Sequence, residues 1–182
     1  MITRLQSFLE LTDYFTTELF ENGIGVVIDS AMENSDYLAI NVDNYYHHLG
    51  LKHIPCIIDL IIIGKETSHD NFHIFLVEMK KIKRSKSFNV YNIYQKFKTA
   101  IDDFMKTKYS DPFLKPQYKI IRCKLFFISD VYHLSKKGFS AEEIDSFLND
   151  TKISVLQSLE PFEYRNFLLL IEYKIPNPSI TW

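Results

Sequence analysis

Cysteine is nearly missing from the chain: only Cys56 and Cys123 occur, both in apolar runs. They read as buried small hydrophobes and give no sign of a disulfide framework or a zinc site. Long hydrophobic runs are lacking too. The longest, IPCIIDLIIIG, carries an aspartate and is too short to cross a membrane. The opening residues, MITRLQSFLELTDYF, have no basic stretch leading into an apolar one, so no secretory signal is expected. The reducing cytoplasm is therefore the expected compartment, with no membrane partner. Repeats, low-complexity tracts and domain-splitting linkers are also missing, and 182 residues fit a single domain over 1–182.

What is present is apolar and aromatic. The chain is 46% hydrophobic and holds 15 Phe and 11 Tyr, which is enough to bury a core and argues against disorder. Net charge is only −2, yet its distribution is uneven. Residues 1–79 carry 3 Lys/Arg against 12 Asp/Glu, a net of −9. Residues 80–124 carry 13 against 3, a net of +10, and residues 125–182 carry 5 against 8. A basic excess held in one segment suits a polyanion partner. It suits a solvated helix and loop as well.

Apolar phase at Leu5, Phe8, Phe15 and Leu19 predicts a helix over roughly 3–21, stopped by Asn22-Gly23. Strands are expected at 24–30, 36–43, 54–63, 72–80, 118–129 and 167–174. A second long helix is expected at 90–108, its stripe formed by Ile93, Phe97, Ile101, Phe104 and Met105. The stretch FSAEEIDSFL opens a further helix with a capping box, Ser140 as cap and Glu143 three residues on. Strands 54–63 and 72–80 are apolar at nearly every position, so both of their faces should be covered in a layered α/β domain.

If those two strands form an antiparallel hairpin about the turn at Ser68-His69, facing residues have numbers summing to 137. Asp59 then faces Glu78, and Lys80 shares the face of Glu78 because strand side chains alternate. Two close carboxylates repel and lose hydration, which a cation in the gap relieves. Oxygen ligands without Cys or His select magnesium or manganese over zinc. The plainer alternative is a salt-bridge cluster in which both acids bond to Lys80. His47-His48 is not expected to bind metal, since neighbours in an extended segment point to opposite faces.

A strand ending in Asp59, a turn, and then the strand FHIFLVEMK with Glu78-Met79-Lys80 at its end resemble the PD-(D/E)XK nuclease superfamily. That superfamily includes type II restriction endonucleases, archaeal Holliday-junction resolvases and RecB-type exonucleases, and LVEMK is similar to the third strand of the resolvases. Ile58 stands where the proline of the motif usually precedes the aspartate, and Pro55 lies four positions upstream of Asp59.

The resemblance implies a restriction-endonuclease-like α/β fold, a central mixed sheet flanked by helices. Its helix-strand-strand-strand-helix-strand core would fall at 3–130, with 131–182 as C-terminal additions. It also implies Mg2+, with Mn2+ as substitute, held by Asp59 and Glu78 and assisted by Lys80. Many members add an acid from the first helix. Glu18, at the edge of that helix's stripe, is the choice here, with Glu21 and Glu33 as alternatives. RecB-type relatives place a glutamine on the following helix, where this chain has Gln95; Thr99 stands where their tyrosine would follow.

Lys81, Lys83, Arg84, Lys86 and Lys98 are the expected backbone-phosphate contacts, which position a duplex without reading its sequence. The expected function is thus a magnesium-dependent endonuclease acting on DNA. RNA stays open because Lys and Arg do not report the sugar. A homodimer would supply the two sites needed to cut both strands. The rival readings are a non-catalytic nucleic-acid-binding module on the same fold and a structural or protein-interaction domain.

Overall fold

The computed structural model describes residues 1–29, 37–66, 69–82, 88–131, 137–148 and 151–182. The chain opens with helix α1 (Ile2–Gln6) and a 3-10 helix (Leu9–Tyr14). Short strands β1 (Phe20–Glu21), β2 (Ile24–Gly25) and β3 (Val27–Ile28) come next, then β4 (Tyr37–Asn41) and α2 (Val42–His48). The hairpin strands β5 (Leu60–Lys65) and β6 (Asn71–Met79) lead to α3 (Val90–Thr99). That helix runs directly into a π-helical segment (Ala100–Lys108), followed by α4 (Ser110–Leu114) and β7 (Lys119–Ile128). The remainder forms α5 (Ala141–Leu148), α6 (Lys152–Gln157), β8 (Phe162–Tyr164), β9 (Phe167–Leu169), β10 (Ile171–Lys174) and β11 (Ser179–Ile180).

Five strands build a mixed central sheet in the order β10–β7–β6–β5–β4. Strands β4, β5 and β6 are antiparallel neighbours, whereas β7 runs parallel to β6 and β10 parallel to β7. The hairpin pairs Ile63 with Ile74 and Leu60 with Val77, which is the register expected from the sequence. Alternation divides its side chains cleanly. Ile61, Ile63, Phe72, Ile74 and Leu76 join the larger core with Ile93, Phe97, Ala100 and Phe104. Leu60, Ile62, Phe75 and Val77 join a smaller core on the other face.

The helices sit against the first face. Among the described residues the second face has no helix: Leu19, Ile24, Val26 and Ile180 cover it, with Trp182 packed alongside. The expectation of helices flanking the sheet therefore holds on one side only. Strand β11 reaches that face by pairing in parallel with β3. Trp182 lies so close to Gly64 that a Cβ there would come within 2.4 Å of the indole. No helix of the described residues is long and apolar enough to cross a membrane.

Several expectations are corrected. The single helix over 3–21 does not form. β-branched Thr12, Thr16 and Thr17 weaken it, and β4 recruits the chain instead: Phe15 bridges Ile40 and the Thr16 N–H donates to the Ala39 carbonyl at 3.0 Å. Asn22-Gly23 is not a helix stop but the turn of the β1–β2 hairpin, with φ of 53° and 77°. Positive φ at both central residues is what a tight hairpin turn demands, and Asn-Gly supplies it.

The expected strand at 24–30 is two short pieces, and that at 54–63 begins only at Leu60, past Pro55, which has no N–H to give a ladder. The strand at 167–174 is also two: β9 pairs with β8 and β10 with β7, so the chain changes partners at Leu170. His47 and His48 lie in the last turn of α2, not in an extended segment. Cys123 is buried as expected, but Cys56 is exposed and accepts a hydrogen bond from Asn92 Nδ2 at 3.2 Å. The helix over 90–108 does form, its second half widened to π geometry, with the Tyr109 N–H donating five residues back to Phe104 at 2.9 Å. The capping box is formed as well: the Ser140 N–H donates to Glu143 at 2.7 Å, and the Glu143 N–H to Ser140 Oγ at 3.2 Å.

Arg165 ties the C-terminal third to α4 and to the connection between α4 and β7. Its Nε donates to the Phe113 carbonyl at 3.0 Å, and its two terminal nitrogens donate to Tyr118 at 2.7 Å and Lys115 at 2.6 Å. The residue holds a left-handed φ of 53°, a strain of about 1 kcal/mol that these bonds outweigh. Arg165→Ala keeps the strain and leaves the 115 and 118 carbonyls without this donor. It should lower unfolding stability by on the order of 2–3 kcal/mol in urea titrations. Arg165→Lys, which cannot span the fork, should recover only part of that loss.

Candidate active site

Asp59 stands one residue before β5, in line with Glu78 of β6 by the same register that pairs Leu60 with Val77. Parity puts both on the helical face, because Ile61 and Ile63 point there from β5 and Ile74 and Leu76 from β6. Asp59 Oδ2 accepts the Met79 N–H at 2.5 Å, while its carbonyl accepts the Val42 N–H at 3.0 Å. The carboxylate is thus tied to the end of the neighbouring strand from its own side chain. Glu78 is 1% exposed. It receives the Lys96 ammonium from α3, with Nζ 2.8 Å from Oε1 and 2.9 Å from Oε2.

Burial and mutual repulsion load this pair. Burial pushes the Asp59 carboxyl up to about 6, against the pull of the Met79 N–H and of Lys96, and Glu21 and Asp43 raise it further. Burial, then the charge of Asp59, pushes Glu78 up to about 8; Lys96 and Lys80 oppose that rise. Lys96 itself is lifted by Glu78 and Asp59 in spite of its own burial. The two acids and the amine form one electrostatic unit.

Lys80 follows β6 directly and is half-buried. Its backbone is clamped to β7, the N–H donating to the Ile128 carbonyl at 2.9 Å and the carbonyl accepting from Ser129 Oγ. Its ammonium makes no ion pair among the described residues, so it stays available at the sheet edge beside Glu78. Glu18 is not on a helix. It sits exposed in a turn whose N–H donates to Thr16 Oγ1 at 2.9 Å. From there it lines a cleft of ≈ 270 Å³ with Glu21, Asn41, Asp43 and Asp59. Glu33 lies outside the described residues.

Gln95 lies on α3, but the side chain brought to Glu78 is its neighbour Lys96. Lys98 is exposed and paired with Asp102 at 2.8 Å. Lys81 is exposed next to Lys80, whereas Lys83, Arg84 and Lys86 lie outside the described residues. Two participants escaped the sequence reading. Lys96 had a signal: a lysine three residues after Ile93 and four before Ala100 interrupts the apolar stripe of its helix. Asp43 had none, because it joins the cleft only through the turn from β4 into α2. Among the described residues, no group of three or more His, Cys, Asp or Glu side chains is placed to hold a metal ion.

Comparison with family models, with curated proteins and with solved structures finds no match to the chain.

Both carboxyls titrate higher in the folded chain than their ordinary values of 3.8 and 4.5, so the folded state holds more protons. Their contribution favours folding below about pH 4 and is lost as pH rises through 6 and 8. Asp59→Asn keeps an acceptor for the Met79 N–H and removes one charge. In thermal unfolding with EDTA it should be near neutral at pH 5 and stabilising by on the order of 2 kcal/mol at pH 8.

Proposed function

We propose that the protein is a magnesium-dependent endonuclease that hydrolyses phosphodiester bonds in DNA on a restriction-endonuclease-like fold. The observation that carries this reading is the pair Asp59 and Glu78, set on one sheet face by the hairpin register with Lys80 two residues on. The order of antiparallel β4, β5 and β6, a long helix and then parallel β7 supports the fold half of the proposal.

The residues present fit a hard divalent ion. Half-buried Asp59 and buried Glu78 repel each other, and Glu78 already holds a cation, the Lys96 ammonium. Asp59 Oδ2 is engaged by a backbone N–H, which leaves Oδ1 as a donor. Magnesium takes one or two carboxylates and keeps several waters or substrate oxygens, so a two-acid site suffices. Asp59 and Glu78 would hold it, while Glu18 lines the neighbouring cleft and adds negative charge there rather than a third ligand. When bound, the ion supplies Lewis acidity, lowering the pKa of a water and withdrawing charge from phosphorus.

The chain's own groups do the rest. Lys80, its backbone clamped on β7, would offer a proton donor and positive charge to the lytic water and the phosphate oxygens. Gln95, half-buried on α3, offers an amide to a phosphate oxygen. Lys81, the basic residues 83, 84 and 86, and Lys98 contact backbone phosphates. Two chains would give one site per strand, and Val155, Leu168 and Leu170 are exposed apolar groups that such a dimer would cover.

The closed pair of Glu78 and Lys96 also favours a second reading, a structural ion pair without chemistry. Nicking of supercoiled plasmid separates the two. Nicking with Mg2+ or Mn2+, none with EDTA, and a loss of at least about 100-fold in Lys80→Ala are expected. Metal-independent binding without cleavage would leave a nucleic-acid-binding module, and neither binding nor cleavage a structural domain.

A further inference from the structure

Lys96 is out of place as a packing residue. It lies in the apolar stripe of α3 among Ile93, Phe97 and Ala100, all buried, where an ammonium loses hydration for no gain in core volume. Its two close contacts both go to Glu78, one to each oxygen, at 2.8 and 2.9 Å. Both atoms with which Glu78 could ligate an ion are therefore covered by one amine. The other nearby ammonium, Lys80, makes no ion pair among the described residues, so direct compensation of Glu78 falls to Lys96.

The lysine side chain is 20% exposed, whereas Glu78 is 1% exposed. The cation has a way out to solvent on a flexible four-carbon stem, and the carboxylate does not.

We propose that Lys96 is a resident counter-cation for the Asp59–Glu78 pair, one that occupies the divalent-ion position in the metal-free protein and leaves Glu78 when the ion enters. The inference rests on the metal-site reading above and adds to it a defined exchange. Metal uptake and release of the Lys96 ammonium are one event, and the freed amine then projects from α3 beside the site, where a substrate phosphate could take it as partner. Atoms balance simply: one ammonium contact is exchanged for one divalent ion, with no bond made or broken covalently.

The exchange has a thermodynamic signature. A site available only in the fraction of molecules with Lys96 swung out binds the ion more weakly by that fraction. If the amine holds Glu78 nine-tenths of the time, removing it tightens binding about tenfold. A permanent structural partner predicts the reverse: its loss disturbs the site and weakens binding, or leaves binding unchanged.

The test is calorimetric titration of Mn2+ into the wild-type chain and into Lys96→Met, whose unbranched side chain keeps the volume of the stem, each checked for folding by circular dichroism. Tighter binding by the variant, by about tenfold, is expected, together with a lower melting temperature in EDTA that Mn2+ raises more than it does for wild type. Unchanged or weaker Mn2+ binding by folded Lys96→Met overturns the proposal while leaving the nuclease reading standing. No Mn2+ uptake by either protein overturns the nuclease reading, and the proposal with it. Should Lys96→Met not fold, Lys96→Gln, which still donates to Glu78 but without charge, enters the same comparison with the same outcomes. In the wild type, the lysine side-chain NMR signal absent from the variant should move to a solvent-averaged position on adding Mg2+. A signal that stays fixed while Mg2+ binds overturns the exchange.

Discussion

Two acids at the end of a hairpin, Glu78 buried and Asp59 half-buried, constrain everything around them. An ionised carboxylate in an apolar setting costs several kcal/mol unless it is paired or hydrogen-bonded, and a second one beside it adds repulsion. The chain meets the cost in two different ways. Asp59 is satisfied by backbone, through the Met79 N–H, which the antiparallel pairing of β5 and β6 brings to it. Glu78, on the strand with both neighbours in place, takes an ammonium from α3 instead. The helix is thereby fixed in rotation over the sheet. Turning α3 by one residue would put Gln95 or Phe97 over Glu78 and leave the carboxylate without its cation.

Sheet topology explains why this end of the sheet is polar. The carboxyl ends of β6, β7 and β10 lie together because those three strands are parallel, and β5 begins beside the end of β6 because the hairpin is antiparallel. The ends are laced to one another: Lys80 to Ile128, Ser129 to Lys174, and the Tyr173 hydroxyl to the Ser129 carbonyl at 2.7 Å. A rigid rim made from three strands fixes the backbone of Lys80, whose ammonium makes no ion pair among the described residues. Sites in α/β sheets form preferentially at that edge for the same geometric reason.

The hairpin was legible in the sequence because two apolar runs flank one polar turn, and strand alternation then decides which residues share a face. One wrong residue in the register would have separated Asp59 from Glu78, and the register held. The first helix was not legible. Its apolar phase is genuine, yet three threonines make the helix weak, and the edge of β4 offered backbone partners that periodicity cannot reveal. Asn22-Gly23 was equally readable as a helix stop or a hairpin turn, and only the neighbouring strands decide. The resemblance points to Gln95 as the polar side chain on α3. The packing phase of the helix, running through Ile93, Phe97 and Ala100, singles out Lys96, because a helical residue meets the sheet by its angle about the axis. The cover on the second sheet face, made from short pieces at both ends of the chain, leaves almost no periodic signal at all.

Charge segregation along the chain becomes spatial at the site. The acidic residues 1–79 supply Asp59 and Glu78 along with Glu18, Glu21 and Asp43 around the cleft, while the basic residues 80–124 supply Lys80, Lys81 and Lys96. The two fields meet at the junction between β6 and α3. A polyanion would be repelled on the cleft side and attracted on the side where β6 gives way to the lysines, so its approach is one-sided even though the whole chain carries only −2. The same asymmetry makes the acidic cleft a poor seat for a phosphate and a good one for a small cation. A cation and a polyanion would thus be drawn to opposite sides of one carboxylate pair, and the hairpin that holds this pair is also the line along which the chain changes sign.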